Sequence, residues 1–202
     1  MTTFAQTKEY GNEKEAERLV NDAVKLLKKN AHSSRFELNY YMASTEQSDV
    51  KIGKVDLKGR LFRIELLDTE IKFNGKTQWT YVASDNEVTI TQPSQSDLQE
   101  SNPMSMIEAM MLNNRIAFNE KKTAGGCYVI NMFPNAPKKA EYFKIVLYIV
   151  QQTGLPKKIV IYQRNGDKIT MNFLDLRKVQ YQSSNFVFKT SEYPNVTIND
   201  LR

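Results

Sequence analysis

The chain has 202 residues, 41% of them hydrophobic and 25% charged, with a formal net charge of +5. No apolar run approaches the roughly 20 residues that cross a bilayer as a helix, so a helical membrane protein is excluded and a soluble chain is expected. The lysine pairs at 28–29, 121–122, 138–139 and 157–158 are spread out among acids, without a zinc pattern, a helix-turn-helix or an arginine-rich run, which argues against a nucleic-acid partner.

The first element in chain order is a helix over residues 13–30. Ala16, Leu19, Val20, Ala23, Leu26 and Leu27 recur at three- and four-residue steps, with acids at its start and lysines at its end. The period then changes to two. Phe36, Leu38, Tyr40 and Met42 form one strand face, Val55 and Leu57 the next, then Phe62, Ile64 and Leu66. Ile71 and Phe73 lead into Asn74-Gly75, a strong hairpin signal, and Trp79 and Tyr81 return from it before Val88 and Ile90. These strands make a first meander over residues 33–91.

Residues 92–124 break that rhythm: a polar loop, then Asn102-Pro103 as N-cap and first helical residue. The helix that follows, from Met104 to Leu112, is apolar nearly all round and holds Met104, Met106, Met110 and Met111. Methionine is unbranched and polarizable and adapts to variable apolar surfaces, so this segment reads either as a short core helix or as a lid over an oily cavity. A second meander spans residues 127–202. Tyr128, Ile130 and Met132 open it, a long strand covers residues 138–152, and Ile159 and Ile161 pass through Asn165-Gly166 to Ile169, Met171 and Phe173. Val179 with Tyr181, and Phe186 with Phe188, read as the last strands. The total is about eleven strands joined by short turns, a mainly β chain with two helices. It forms a single domain over residues 1–202, with residues 1–12 a flexible lead-in.

Catalytic chemistry finds little to stand on. The chain has one histidine, His32, and one cysteine, Cys127, and neither lies in a nucleophile motif. One cysteine forms no intramolecular disulfide. No HExxH, CxxC or phosphate-loop pattern is present, so neither metal nor cofactor is expected. A lipid-modifying enzyme built on His32 and Cys127 stays open as a rival reading.

Three stretches carry a resemblance. They are Gly53-Lys54-Val55-Asp56-Leu57-Lys58-Gly59-Arg60-Leu61-Phe62-Arg63, then Phe73-Asn74-Gly75-Lys76-Thr77-Gln78-Trp79-Thr80-Tyr81, and the ending Phe186-Val187-Phe188 with Tyr193-Pro194-Asn195-Val196-Thr197-Ile198-Asn199-Asp200-Leu201-Arg202. In order and spacing they resemble the LolA family of periplasmic outer-membrane lipoprotein carriers, in its Bacteroidetes-type branch, from about residue 14 to the end. The family's Pro-Gly before the final strand is Pro194-Asn195 here, and its "KRP"-like stretch reads Lys58-Gly59-Arg60.

The resemblance implies an unclosed antiparallel β-barrel with helices over its concave face, periplasmic residence, and a monomeric carrier without enzymatic activity. The spacing of small residues at Thr3 and Ala5 then reads as a trimmed signal-peptidase site. The implied partners are acylated lipoproteins, an inner-membrane lipoprotein-releasing ABC transporter complex and an outer-membrane receptor. Joined to the alternation, it makes Phe36, Leu38, Tyr40, Met42, Val55, Leu57, Phe62, Ile64, Leu66, Trp79 and Tyr81 the acyl-chain lining. Met104, Met106, Ile107, Met110, Met111 and Leu112 become the lid, and Arg60 the residue that contacts it. A lipid or lipoprotein sensor of the same fold is the alternative.

Overall fold

A computed structural model describes residues 13–94, 97–98 and 102–202, so the expectation for residues 1–12 lies outside the described residues. The described residues open with α1 (Glu13–Lys29), followed by β1 (Ala31–Met42), β2 (Gln47–Lys58), β3 (Leu61–Leu66), β4 (Thr69–Phe73), β5 (Gln78–Val82) and β6 (Glu87–Thr91). Next come α2 (Pro103–Leu112), β7 (Asn114–Ala124), β8 (Cys127–Pro134), β9 (Tyr142–Val150), β10 (Pro156–Gln163), β11 (Lys168–Phe173) and β12 (Arg177–Val179). Two 3-10 turns (Ser183–Phe186 and Thr190–Glu192) precede β13 (Thr197–Asp200).

The strands form one sheet of thirteen, ordered β13-β6-β5-β4-β3-β2-β1-β11-β10-β9-β8-β7, with β12 beside β1. Every pairing is antiparallel except β13 with β6, and the edge strands β13 and β7 do not pair with each other. The result is the unclosed barrel of a mainly β chain. Side chains alternate between faces, so one register fixes a continuous concave surface. Phe36 pairs with Phe173, Leu38 with Met171, Ile159 with Leu147, and Ile130 with Leu147.

The α1 stripe lies across this surface. Ala16, Val20 and Ala23 pack against Ile116, Phe118, Ile130, Met132, Ile145, Leu147 and Ile149, while Val24 and Leu27 pack against Phe36, Val55, Leu57, Phe62 and Phe73. One helix therefore joins both halves of the sheet. Gly53 makes room for the Phe36 ring: a Cβ there would come within 2.5 Å of that ring and 2.6 Å of the Glu65 carbonyl oxygen.

Three local expectations are corrected. Residues 114–124 are strand rather than loop, because only the first part of the segment, with Ile116, Ala117 and Phe118, is buried, and the charged remainder slips register on an exposed edge. The long strand shortens to Tyr142–Val150. Phe186 and Phe188 form no strand; Phe186 ends a 3-10 turn and both rings are buried. The strand that follows Pro194-Asn195 is β13, and Asn195 adopts the left-handed backbone (φ 57°) in the place of the family's glycine. Asparagine enters that region at little cost.

The C-terminal segment clasps the convex face of β2–β6. Tyr193 stacks on Phe188 (4.2 Å), and the Lys72 ammonium lies 5.6 Å from the Phe188 ring. Beneath them, Arg63 donates to Glu70 at 2.5 Å, the Tyr193 hydroxyl donates to the same carboxylate, and Lys72 lies 3.3 Å from it. Beside this group, Ser33 and Tyr181 donate to Asp56 at 2.6 and 2.9 Å.

Burial alone would raise the Glu70 carboxyl, but the Tyr193 hydroxyl, Lys72 and Arg63 outweigh it and hold the group below its ordinary value. A carboxyl depressed by folding stabilises above its ordinary pKa and loses that contribution as pH falls through the depressed value. Glu70→Gln is therefore expected to cost about 3 kcal/mol at neutral pH in urea unfolding, since it leaves Lys72 buried and unpaired. The gap to wild type should narrow as pH falls through and below the carboxylate range.

Candidate functional site: an apolar cavity under a methionine-rich helix

Between α1, α2 and the concave sheet lies a cavity of about 230 Å³. Val20, Ala23, Val24 and Leu27 line it from α1, and Pro103, Ile107, Met110 and Met111 from α2. The sheet contributes Phe36, Val55, Leu57 and Ile64 from its first half and Met132, Ile145, Leu147, Pro156, Ile159, Met171 and Phe173 from its second, with Leu176 alongside. Every lining residue among those described is apolar. Water gains no hydrogen bond in such a space, whereas hydrocarbon loses nothing by entering it.

Helix α2 is held over the cavity at three points. At its start, Asn102 is buried, and its Oδ1 accepts the backbone N–H of Met104 at 3.0 Å and of Ser105 at 3.3 Å. That is an N-cap in the usual geometry. The Asn102 Nδ2 donates to the Arg60 carbonyl at 2.9 Å, so one side chain both starts the helix and ties it to the β2–β3 turn. Along its length, Glu108 forms an ion pair with Lys28 of α1. At its end, Asn114 Nδ2 donates to the Met110 carbonyl at 2.6 Å, and Asn135 to the Leu112 carbonyl at 3.3 Å.

Of the residues named from sequence, Phe36, Val55, Leu57 and Ile64 line the cavity, as do Ile107, Met110 and Met111 from α2. Phe62 lies fully buried against Phe73 in the adjoining core (5.6 Å), and Leu38 and Leu66 pack at the edge of that core. Tyr40 and Met42 sit at the rim: the Tyr40 hydroxyl donates to Asp167 at 2.6 Å, and Met42 pairs with Gln47 at the hairpin.

Trp79 and Tyr81 fall on the opposite face. Phe73 and Ile71 pair with Gln78 and Thr80, so the alternate residues of β5 point outward and pack with Val88, Ile90, Phe188 and Tyr193. Met104 is buried in the core rather than in the cavity wall, and Leu112 is 80% exposed. The Met106 side chain lies outside what the structure describes. The Arg60 carbonyl accepts from Asn102, the residue before α2, while the residue itself is exposed.

Sequence reasoning leaves out the second half of the wall. Its signal is present in the alternation of Ile145, Leu147, Ile159 and Met171, but the register that carries one inward face across both meanders is not. His32 and Cys127 do not meet. His32 is buried on the concave face of β1, where burial pushes its imidazole below the ordinary value. Cys127 starts β8, and β11, β10 and β9 stand between the two strands, which puts them four strand spacings, about 19 Å along the sheet, apart. Among the described residues no cluster of three His, Cys, Asp or Glu could hold a metal ion, and no helix is long and apolar enough to cross a membrane.

No curated protein matches the sequence. An uncharacterized conserved protein from Thermus thermophilus shares the fold, with a TM-score of 0.59 at 10% identity, covering 91% of this chain and 98% of that one. LprF from Mycobacterium bovis aligns with a TM-score of 0.49 at 13% identity over 84% of this chain and 95% of its own. An outer membrane lipoprotein-sorting protein domain from Vibrio parahaemolyticus aligns at 0.45 and 14% identity over 87% and 97%. Residues 1–167 match the family described as outer membrane lipoprotein carrier protein LolA. On that match, and with the open barrel and its covered concave face in place, the chain belongs to the LolA family of outer membrane lipoprotein carriers.

Proposed function

We propose that this protein carries the acyl chains of lipoproteins in the cavity beneath α2, across the periplasm from the inner to the outer membrane, without catalysing a reaction. The observation that carries this reading is the apolar lining, among the described residues, of a cavity whose cover is tied down at a few points. Withdrawing a chain of about 16 carbons from water is worth roughly 12 kcal/mol, and a carrier must replace that burial reversibly. Sites that enclose a mid-sized ligand hold about 300–1,000 Å³. The cavity of about 230 Å³ is smaller, so in this reading α2 moves aside on loading and the methionines repack around the cargo.

In this reading the lining from both sheet halves takes the acyl-binding role, and α2 is the lid. The lipoprotein arrives from an inner-membrane release complex and leaves to an outer-membrane acceptor, while the carrier works as a monomer. The test is release of a radiolabelled lipoprotein from inner-membrane vesicles into a stable complex with the purified protein. Acylated cargo should be released and the same cargo lacking its acyl chains should not. Release independent of acylation overturns the reading.

A further inference from the structure

The two halves of the convex surface differ. Over β2–β6 the charges neutralise one another and the C-terminal segment covers them. The convex face of β8–β11 and β1 is not covered in this way. There Lys144 sits 4.5 Å from the Tyr162 ring, Lys158 is 5.5 Å from Tyr148, and Lys168 is 5.5 Å from Tyr41. No ion pair to a carboxylate forms at any of the three among the described residues. The acid among the convex positions of these strands, Glu37, accepts a hydrogen bond from Asn172 at 3.0 Å.

Two large apolar side chains on this face are open to solvent. Phe143 is 46% exposed and packs against Tyr162, and Leu174 is 47% exposed beside a shallow groove edged by Lys157 and Lys158. Unpaired lysines stacked on tyrosines, flanked by exposed apolar side chains, is the composition that settles at the headgroup level of a bilayer. The rings and stems enter the interface and the ammonium groups stay with anionic headgroups. Charge complementarity favours an anionic surface, and the exposed Phe143 and Leu174 favour a lipid surface over a polar polyanion.

We infer that the convex face of β8–β11 and β1 is a transient docking surface for an anionic phospholipid membrane. Its position opposite the cavity leaves α2 free to open while the protein rests on a bilayer. The inference extends the carrier reading but does not require cargo for its test.

Cosedimentation with vesicles of phosphatidylcholine, with and without phosphatidylglycerol, measures it directly. Wild type should partition onto the anionic vesicles, weaken as salt rises, and ignore the neutral ones. Each lysine near an anionic leaflet contributes about fivefold, so K144Q/K158Q/K168Q should lose on the order of a hundredfold. K144R/K158R/K168R keeps charge and stacking and should retain binding, which separates recognition from folding. The control K14Q/K25Q/K76Q removes the same charge from exposed sites elsewhere and should change little.

Equal loss in the control, no vesicle binding by wild type, or binding to RNA or an acidic polypeptide without binding to vesicles overturns the inference. Fatty-acid uptake by the same variants keeps the two claims apart. Intact uptake with no vesicle binding leaves the carrier reading standing and removes the docking face. Vesicle binding without any fatty-acid uptake does the reverse.

Discussion

Met111→Asp is expected to weaken binding of a long-chain fatty-acid probe by at least about a hundredfold while leaving the β-barrel folded. Met111 is the α2 residue that touches both sides of the interior: it packs against the cluster built on β7–β9 and the cluster built on β1–β4, and it lines the cavity between them. An acyl chain entering there would face a carboxylate with no hydrogen-bond partner among the apolar lining residues. Desolvating a polar group without a partner costs about 2–7 kcal/mol, and a charged group costs more. The aspartate can take up a proton, which still leaves a polar group without a partner, or turn α2 outward, which removes the cover. Both routes lower affinity. Met111→Leu keeps volume and polarity and should bind within a few-fold of wild type. Fluorescence titration measures the effect, with circular dichroism confirming the fold.

The second large effect belongs to Asn102. Asn102→Ala removes the N-cap of α2, worth about 1 kcal/mol, and the hydrogen bond to the Arg60 carbonyl, worth about 1 kcal/mol more. The empty protein should lose roughly 2 kcal/mol as global unfolding breaks both contacts. Amide exchange should rise across residues 103–112 ahead of the sheet. If opening the lid limits entry, the probe association rate should rise by an order of magnitude or more. Asn102→Asp separates the two roles, because it keeps an acceptor for Met104 and Ser105 and loses the donor to Arg60. It should retain the helix and still load faster than wild type. Unchanged exchange and loading in both variants would remove Asn102 as the latch.

The fold is legible where alternation and turn chemistry agree. Asn74-Gly75 and Asn165-Gly166 mark hairpins, and the change from a helical to a two-residue period marks the end of α1. The sequence is less informative where a residue's role depends on a distant neighbour. Trp79 and Tyr81 alternate as cleanly as Ile64 and Leu66 do, and only the pairing of Phe73 with Gln78 shows that they face outward. Strand β7 hides because its charged half bulges at a sheet edge, where solvent imposes no alternation. Helix α2 stands out because a helix apolar on all sides needs cover on more than one. Its latch does not, because an Asn-Pro helix start looks the same whether or not its amide reaches a carbonyl 42 residues away.

Photolabelling with a diazirine-bearing fatty acid tests the central claim most directly. The account predicts saturable labelling that unlabelled fatty acid competes away, with adducts on Met110, Met111, Met132, Ile145 and Met171. Adducts confined to the convex surface around Trp79, or labelling that never saturates, would contradict it.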